Sequence, residues 1–168
     1  MTISRYLHFG PGTAAVIRRV LSTLLLVLFA MSIFSCSGKR PDHLGKSDAR
    51  LAPCPGTPNC VSSDSPDTSH HVPPLILNQS PDTVWTDLVD VVSGLPRTRI
   101  VSQSENHLHA ECSSAVFGFV DDLEFDLREA DGLIAVRSAA RLGQSDLGVD
   151  RRRVEKIRQI LKDRGKIR

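Results

Sequence analysis

Aromatic side chains are scarce in this 168-residue chain, at 5%, so any core built from it is mostly aliphatic, with Phe117, Phe119 and Phe125 as local exceptions. No internal repeat is present. The longest apolar run falls short of the roughly 20 residues that a bilayer span needs. The sequence has no Gly-x-Ser-x-Gly elbow, no Cys-x-x-Cys pair and no standard zinc-ligand spacing. It therefore carries no recognised signature of serine acyl transfer, dithiol redox chemistry or structural zinc, and none for a cofactor. Length and a net charge of +2 bound the rest: a single domain of ordinary composition rather than a disordered chain.

What the sequence does contain is, first, an export signal. Arg5, Arg18 and Arg19 precede the uncharged run from Val20 to Phe34. The run ends in Ile33-Phe34-Ser35-Cys36, which resembles the bacterial lipobox: an aliphatic residue at −3, a small one at −1, then the cysteine. Phe34 is bulkier than that pattern prefers. The resemblance implies removal of residues 1–35 and a diacylglycerol on Cys36. With Ser37 following, it implies transport onward to the outer membrane, on its periplasmic side. More than one acyl chain makes such an anchor stable. An ordinary signal peptide, or an uncleaved anchor with a chance cysteine, is the alternative. The pair Arg18-Arg19 leaves a twin-arginine route open beside the general one. Residues 36–50 are polar and broken by Gly38, Pro41, Gly45 and Ser47. They are expected to form a flexible tether with an r.m.s. reach of roughly 20 Å. Residues 51–168 then form one globular domain held close to a membrane.

Within that domain, six prolines from Pro53 to Pro74 predict ordered loop, because each pushes its predecessor toward extended geometry. Ser80-Pro81 reads as a helix start, with Ser80 as N-cap. Val84, Leu88, Val91, Val92 and Leu95 follow at helical spacing, and Gly94 closes the helix. Strands are expected over 97–103, 106–113, 116–128 and 133–140, the last two joined by a turn at Asp131-Gly132. In the second, Leu108, Ala110 and Cys112 face one side and His107, His109 and Glu111 the other. A final helix is expected with Asp150 as its cap and Val154, Ile157, Ile160 and Leu161 on its apolar face. The pattern predicts an α+β fold: an antiparallel sheet of about four strands, with an N-terminal and a C-terminal helix packed on one face.

Three ordered blocks carry a family resemblance. They run from Leu51 through Cys54, Asn59 and Cys60 to Ser63, from Phe117 to Phe125, and from Val136 through Arg141, Gly143 and Asp146 to Arg151. Together they resemble the family called domain of unknown function 1499. The resemblance implies an exported or lumenal setting and no particular activity.

Several residues could carry chemistry. Cys54 and Cys60 are six positions apart and, in an oxidising compartment, are expected to form a disulfide. Metal binding with His70 and His71, or a redox role, are the alternatives. Cys112 falls on the apolar strand face and is expected to be buried. Asp121 breaks the apolar face of its strand, so either a β-bulge turns it outward or a cation meets it inside, with Arg141 the expected partner. Arg137 is expected across from Asp126 or Glu124 as an ordinary outer-face ion pair. Asp121, Asp122, Glu124, Arg137, Ser138, Arg141, Ser145 and Asp146 then gather as a candidate polar site at one end of the sheet. That cluster is either a structural ion-pair network or a site for a cation or for acid–base chemistry. The tail from Arg151 to Arg168 is strongly basic. Export argues against nucleic acid, so the functional option is attraction to an anionic envelope surface. Neither a protein partner nor a ligand is legible. The expected function is a lipid-anchored, non-catalytic binding or envelope-associated module. The alternative is an envelope enzyme or metal-binding protein that uses the charged cluster.

Overall fold

The structure, a computed structural model, describes residues 11–32, 38–41, 44, 46–47, 50–115, 118–143 and 147–168. The chain divides into two compact units, Met1–Ser35 and Cys36–Arg168. In the first, helix α1 (Pro11–Ser32) takes up most of the apolar run, with Val20, Leu21 and Leu24 exposed. Among the described residues, no helix is long and apolar enough to cross a membrane.

The second unit is α+β. A two-stranded ladder, β1 (Lys46–Ser47) with β2 (Arg50–Leu51), lies in and just beyond the stretch expected as tether. The main sheet is antiparallel and has six strands rather than about four. These are β3 (Cys60–Ser62), β4 (Leu75–Ile76), β5 (Thr98–Gln103), β6 (His107–Ser113), β7 (Val120–Arg128) and β8 (Leu133–Ala140). Their order is β3-β8-β7-β6-β5, and β4 also pairs with β8. The two additional strands come from the proline-rich region. Residues 59–65 carry no proline, so their N–H groups are free to join a ladder, and Leu75 follows the last proline. Both use the same edge of β8 at different levels, with Cys60 opposite Ala139 and Leu75 opposite Ile134.

Helix α2 (Pro81–Ser93) begins at the expected proline, but the Ser80 hydroxyl pairs with Thr83 Oγ1 at 2.7 Å instead of capping a backbone N–H. Helix α3 (Val149–Asp163) starts one residue before Asp150. Gly148, at a left-handed φ of 77°, occupies the cap position that Asp150 was expected to fill. Val84, Leu88 and Val92 of α2 join Val154, Ile157 and Leu161 of α3 and the aliphatic side chains of the sheet in one core. Phe125 is at its centre and fully buried. Phe119 is not in the core. β7 begins only at Val120, because Gly118 turns the chain at φ 67° and Ser114 and Phe119 close a loop on each other. Phe117 lies outside the described residues.

A buried charge network on the face opposite the core

Side chains alternate across a strand, and the register of β7 against β8 deals the expected polar cluster to two faces of the sheet. Asp121 pairs with Ala140 and Leu123 with Ser138, on the face shared with the aliphatic core. Asp122 pairs with Ala139 and Glu124 with Arg137, on the other face. One sheet end therefore carries two separate polar groups.

The face opposite the core holds the larger one. Arg141 donates from Nε to Asp122 Oδ2 at 2.8 Å and from Nη2 to Oδ1 at 2.6 Å. The same Nη2 reaches Glu111 Oε1 at 2.7 Å. His109 Nε2 sits 2.8 Å from Asp122 Oδ1. Glu111 also accepts from Arg40 and Arg99, each at 2.6 Å. One step along the strands, Arg137 Nη1 donates to Glu124 Oε2 at 3.2 Å, and His107 Nε2 stands 3.6 Å from Oε1. Further on, Arg128 bridges Asp126 and both oxygens of Asp64. Arg137 was expected in an ordinary surface pair; it is opposite Glu124 as anticipated, but the two side chains are 3% and 0% exposed.

The cover over this face comes from the segment joining β2 to β3. Leu51 and Ala52 are buried, and the Leu51 N–H donates to Asp64 Oδ2 at 2.9 Å. The Cys54–Cys60 disulfide then ties the segment to β3, with a Cα separation of 5.7 Å. A cavity of about 310 Å³ remains beneath it, bordered by Pro53, Cys54, Asp122, Arg137 and Arg141. Burial alone would raise the Glu111 carboxyl, yet hydrogen bonds from Arg141, Arg40 and Arg99 outweigh it and hold the group at about 2. Asp122 is likewise lowered against its burial by Arg141 and His109, and Asp64 by Arg128 and the Leu51 N–H. The paired guanidiniums of Arg141 and Arg128 are correspondingly raised. These groups are locked in their charged forms.

On the core face, Asp121 stays inward in an unbroken register with β6 and β8, and the cation that meets it is Arg153, not Arg141. Arg153 also donates to Asp150 Oδ1 at 2.7 Å and to Ser138 Oγ at 2.9 Å, while the Ser138 hydroxyl donates to the same Asp150 oxygen. Arg141 has the wrong parity for Asp121: positions 137, 139 and 141 share a face with 122 and 124. Cys112, opposite Asp121, is a buried free thiol.

Of the remaining candidates, Ser145, Asp146 and the lipidation candidate Cys36 lie outside the described residues. The sulfurs of Cys54 and Cys60 are bonded to each other, which removes the thiolate pair that the metal alternative needed. His70 and His71 turn their Nδ1 atoms to the backbone carbonyls of Cys60 and Ser65. Among the described residues, no group of three His, Cys, Asp or Glu side chains could hold a metal ion. Glu111, His109, Asp64, Arg128, Asp150 and Arg153 belong to the two networks and were missed as site residues. For His109 and Glu111 the signal was present in the polar half of the β6 alternation. Much of the basic tail is engaged internally: Arg151 with the carbonyls of Ser69 and His71, Arg158 with those of Pro73 and Pro74, and Arg164 and Lys166 with Asp87 of α2.

The model of one family, described as "Protein of unknown function (DUF1499)", matches residues 50–161. Neither the curated proteins nor the solved structures contain a match to this chain. The matched span takes in the disulfide-tied cover, the whole main sheet and most of α3, and on that span the chain belongs to the DUF1499 family.

Proposed function

We propose that this is an exported lipoprotein, processed before Cys36, acylated there and held at the outer membrane facing the periplasm. Its domain, with both helices covering one face of the sheet, serves as a non-catalytic binding or envelope-associated module. The lipobox-like Ile33-Phe34-Ser35-Cys36 supports the anchor, and the basic tail supports attraction to an anionic envelope surface. The observation that carries the non-catalytic reading is the state of the carboxylates. Glu111 and Asp122 are gripped by arginines and kept ionised far below neutral pH, whereas a general acid or base works best with a pKa near the operating pH.

Two measurements test this. Cell fractionation with intact-mass analysis should find the protein in the membrane fraction with acyl chains on Cys36, and Cys36→Ser should release it unmodified. An unmodified wild type would refute the anchor. For the cluster, Asp122→Asn should lower the melting temperature of the domain. If Asp122→Asn kept wild-type stability while abolishing the protein's ability to complement a deletion strain, the enzyme alternative would replace the binding module.

A further inference from the structure

The loops at one end of the main sheet share three features. The end is defined by Ser113 of β6, Val120 of β7, Ala140 of β8 and the start of α3. First, a cavity of about 420 Å³ opens there between the first turns of α3 and the ends of β5 and β6. Arg97, Arg152, Arg153 and Lys156 line it, against the single carboxylate of Asp121. Arg153 is paired with both Asp121 and Asp150, and among the described residues Arg97, Arg152 and Lys156 form no ion pair, so cations outnumber carboxylates around the cavity. Among the described residues, Arg97 and Arg152 donate only to the backbone carbonyls of Ser113 and Leu147, and Lys156 has no partner. The N-terminal end of a helix adds a further preference for an anion.

Second, every exposed large hydrophobic side chain of this unit among the described residues sits at the same end: Phe119, Leu142, Leu147 and Val149. Leu147 is 84% exposed. Third, the chain enters the domain here. Gly38, at φ 63°, lies so close to Arg141 and Leu142 that an added Cβ would stand 3.0 Å from a carbon of each. One residue, Ser37, separates Gly38 from Cys36, so Cys36 lies within two residue steps, a reach of at most about 7 Å. From β8 to β6, whose end borders the cavity, is two strand spacings, or about 10 Å.

We infer that this end of the domain is apposed to the membrane and that the cavity takes the phosphate of an anionic phospholipid. The phosphate sits against Arg97, Arg152 and Lys156, and Phe119, Leu142, Leu147 and Val149 enter the acyl boundary. Cations beside exposed apolar side chains are what an anionic bilayer surface selects. The inference rests on the anchored reading for its orientation, and it assigns the anionic-surface attraction to one place: the first turns of α3 rather than the whole tail.

The test is native mass spectrometry of the full protein, extracted from host membranes in detergent. It is offered dioleoyl phosphatidylglycerol, dioleoyl phosphatidylcholine or inorganic phosphate. Phosphatidylglycerol should be retained in preference to phosphatidylcholine. That preference should fall about fivefold in Lys156→Ala and in Arg152→Ala, at the scale of one cation near an anionic surface. It should be unchanged in Arg164→Ala, whose guanidinium faces α2 at the far end of α3. Thermal melting checks that each variant is folded, and the exposed Lys156 position can be changed without disturbing the core. Equal retention of the two lipids, or a preference indifferent to both substitutions, overturns the inference. So does retention of inorganic phosphate without phosphatidylglycerol, which would make the cavity a site for a free anion. The same spectra report the mass at Cys36, so an unacylated protein refutes the anchor separately from the fate of the cavity.

Discussion

Arg141 holds Asp122 in a two-point grip, Nε to Oδ2 and Nη2 to Oδ1, across neighbouring strands on the side of the sheet away from the aliphatic core. Both side chains are almost wholly buried, at 5% and 2% exposure. A buried pair that loses one partner leaves the other desolvated and uncompensated. Arg141→Met should therefore cost about 3–5 kcal/mol of stability, read from denaturant midpoints. The double variant Asp122→Leu/Arg141→Met should recover a large part of that loss, because it removes both charges together. Additive losses would show that the grip does not couple these residues.

The alternation that creates this grip is legible in the sequence, but alternation within one strand does not name the partner of an inward carboxylate. The β6 pattern puts Cys112 inward and His109 and Glu111 outward, as the structure has them. For Asp121 the pattern leaves a bulge or an inner cation open, and the unbroken register decides for the cation. Parity then puts Asp122 and Arg141 outward together, so Asp121 needed a different cation. Arg153 could not be found that way. It reaches Asp121 from a helix 32 positions later, and only the packing of α3 fixes that distance. The cover over the opposite face was also hidden. Alternation marks residues that leave the core but not whether another segment lies over them, so His109 and Glu124 read as solvent-facing. The two short strands were lost because prolines dominate their region and each strand spans only three residues or fewer.

Acid should unfold the domain through the same network. Glu111 ordinarily titrates at 4.5 and is held at about 2 in the fold, against its own burial, by three arginines. Between those values the unfolded chain binds the proton and the native state does not, so stability falls as pH falls. The contribution is fully present above the ordinary value and is lost as pH drops toward 2; lowered Asp122 and Asp64 act in the same direction. Melting temperature should hold down to about pH 5 and then drop steeply. Glu111→Gln should flatten that drop while lowering stability at neutral pH. An unchanged acid slope in Glu111→Gln would show that other groups govern the transition.

Reduction should loosen the cover before it unfolds the sheet. The Cys54–Cys60 bridge closes a short loop, worth about 2 kcal/mol on the chain-entropy view. It also fixes the end of the segment that carries the buried Leu51 N–H bond to Asp64. With reductant, or in Cys54→Ser, amide exchange at Leu51 and proteolysis between Pro53 and Pro58 should accelerate. The amides of β6 and β7 should stay protected, since their ladder does not involve the bridge. Simultaneous loss of protection throughout would mean that the disulfide holds the whole domain rather than its cover.

Cys112 should be a silent thiol until the domain opens. It is 4% exposed, on the core face, where burial pushes its pKa up despite the nearby Arg153 guanidinium and a hydrogen bond from Thr98. Thiolate is the reactive form, so alkylation at neutral pH is suppressed twice, by access and by protonation. A raised thiol pKa also means that the native state keeps its proton longer than the unfolded chain does. The associated stability is thus intact below the ordinary value of 9.0 and declines as pH rises through the native one. Iodoacetamide labelling of the folded protein at pH 7 should be far slower than of the denatured chain. Because Cys112 also borders the cavity with Arg97 and Lys156, any residual native labelling should slow further when phosphatidylglycerol is added and not when phosphatidylcholine is. Labelling at the rate of a free cysteine would show that the cavity opens to the thiol, and that this end of the sheet is less closed than its packing indicates.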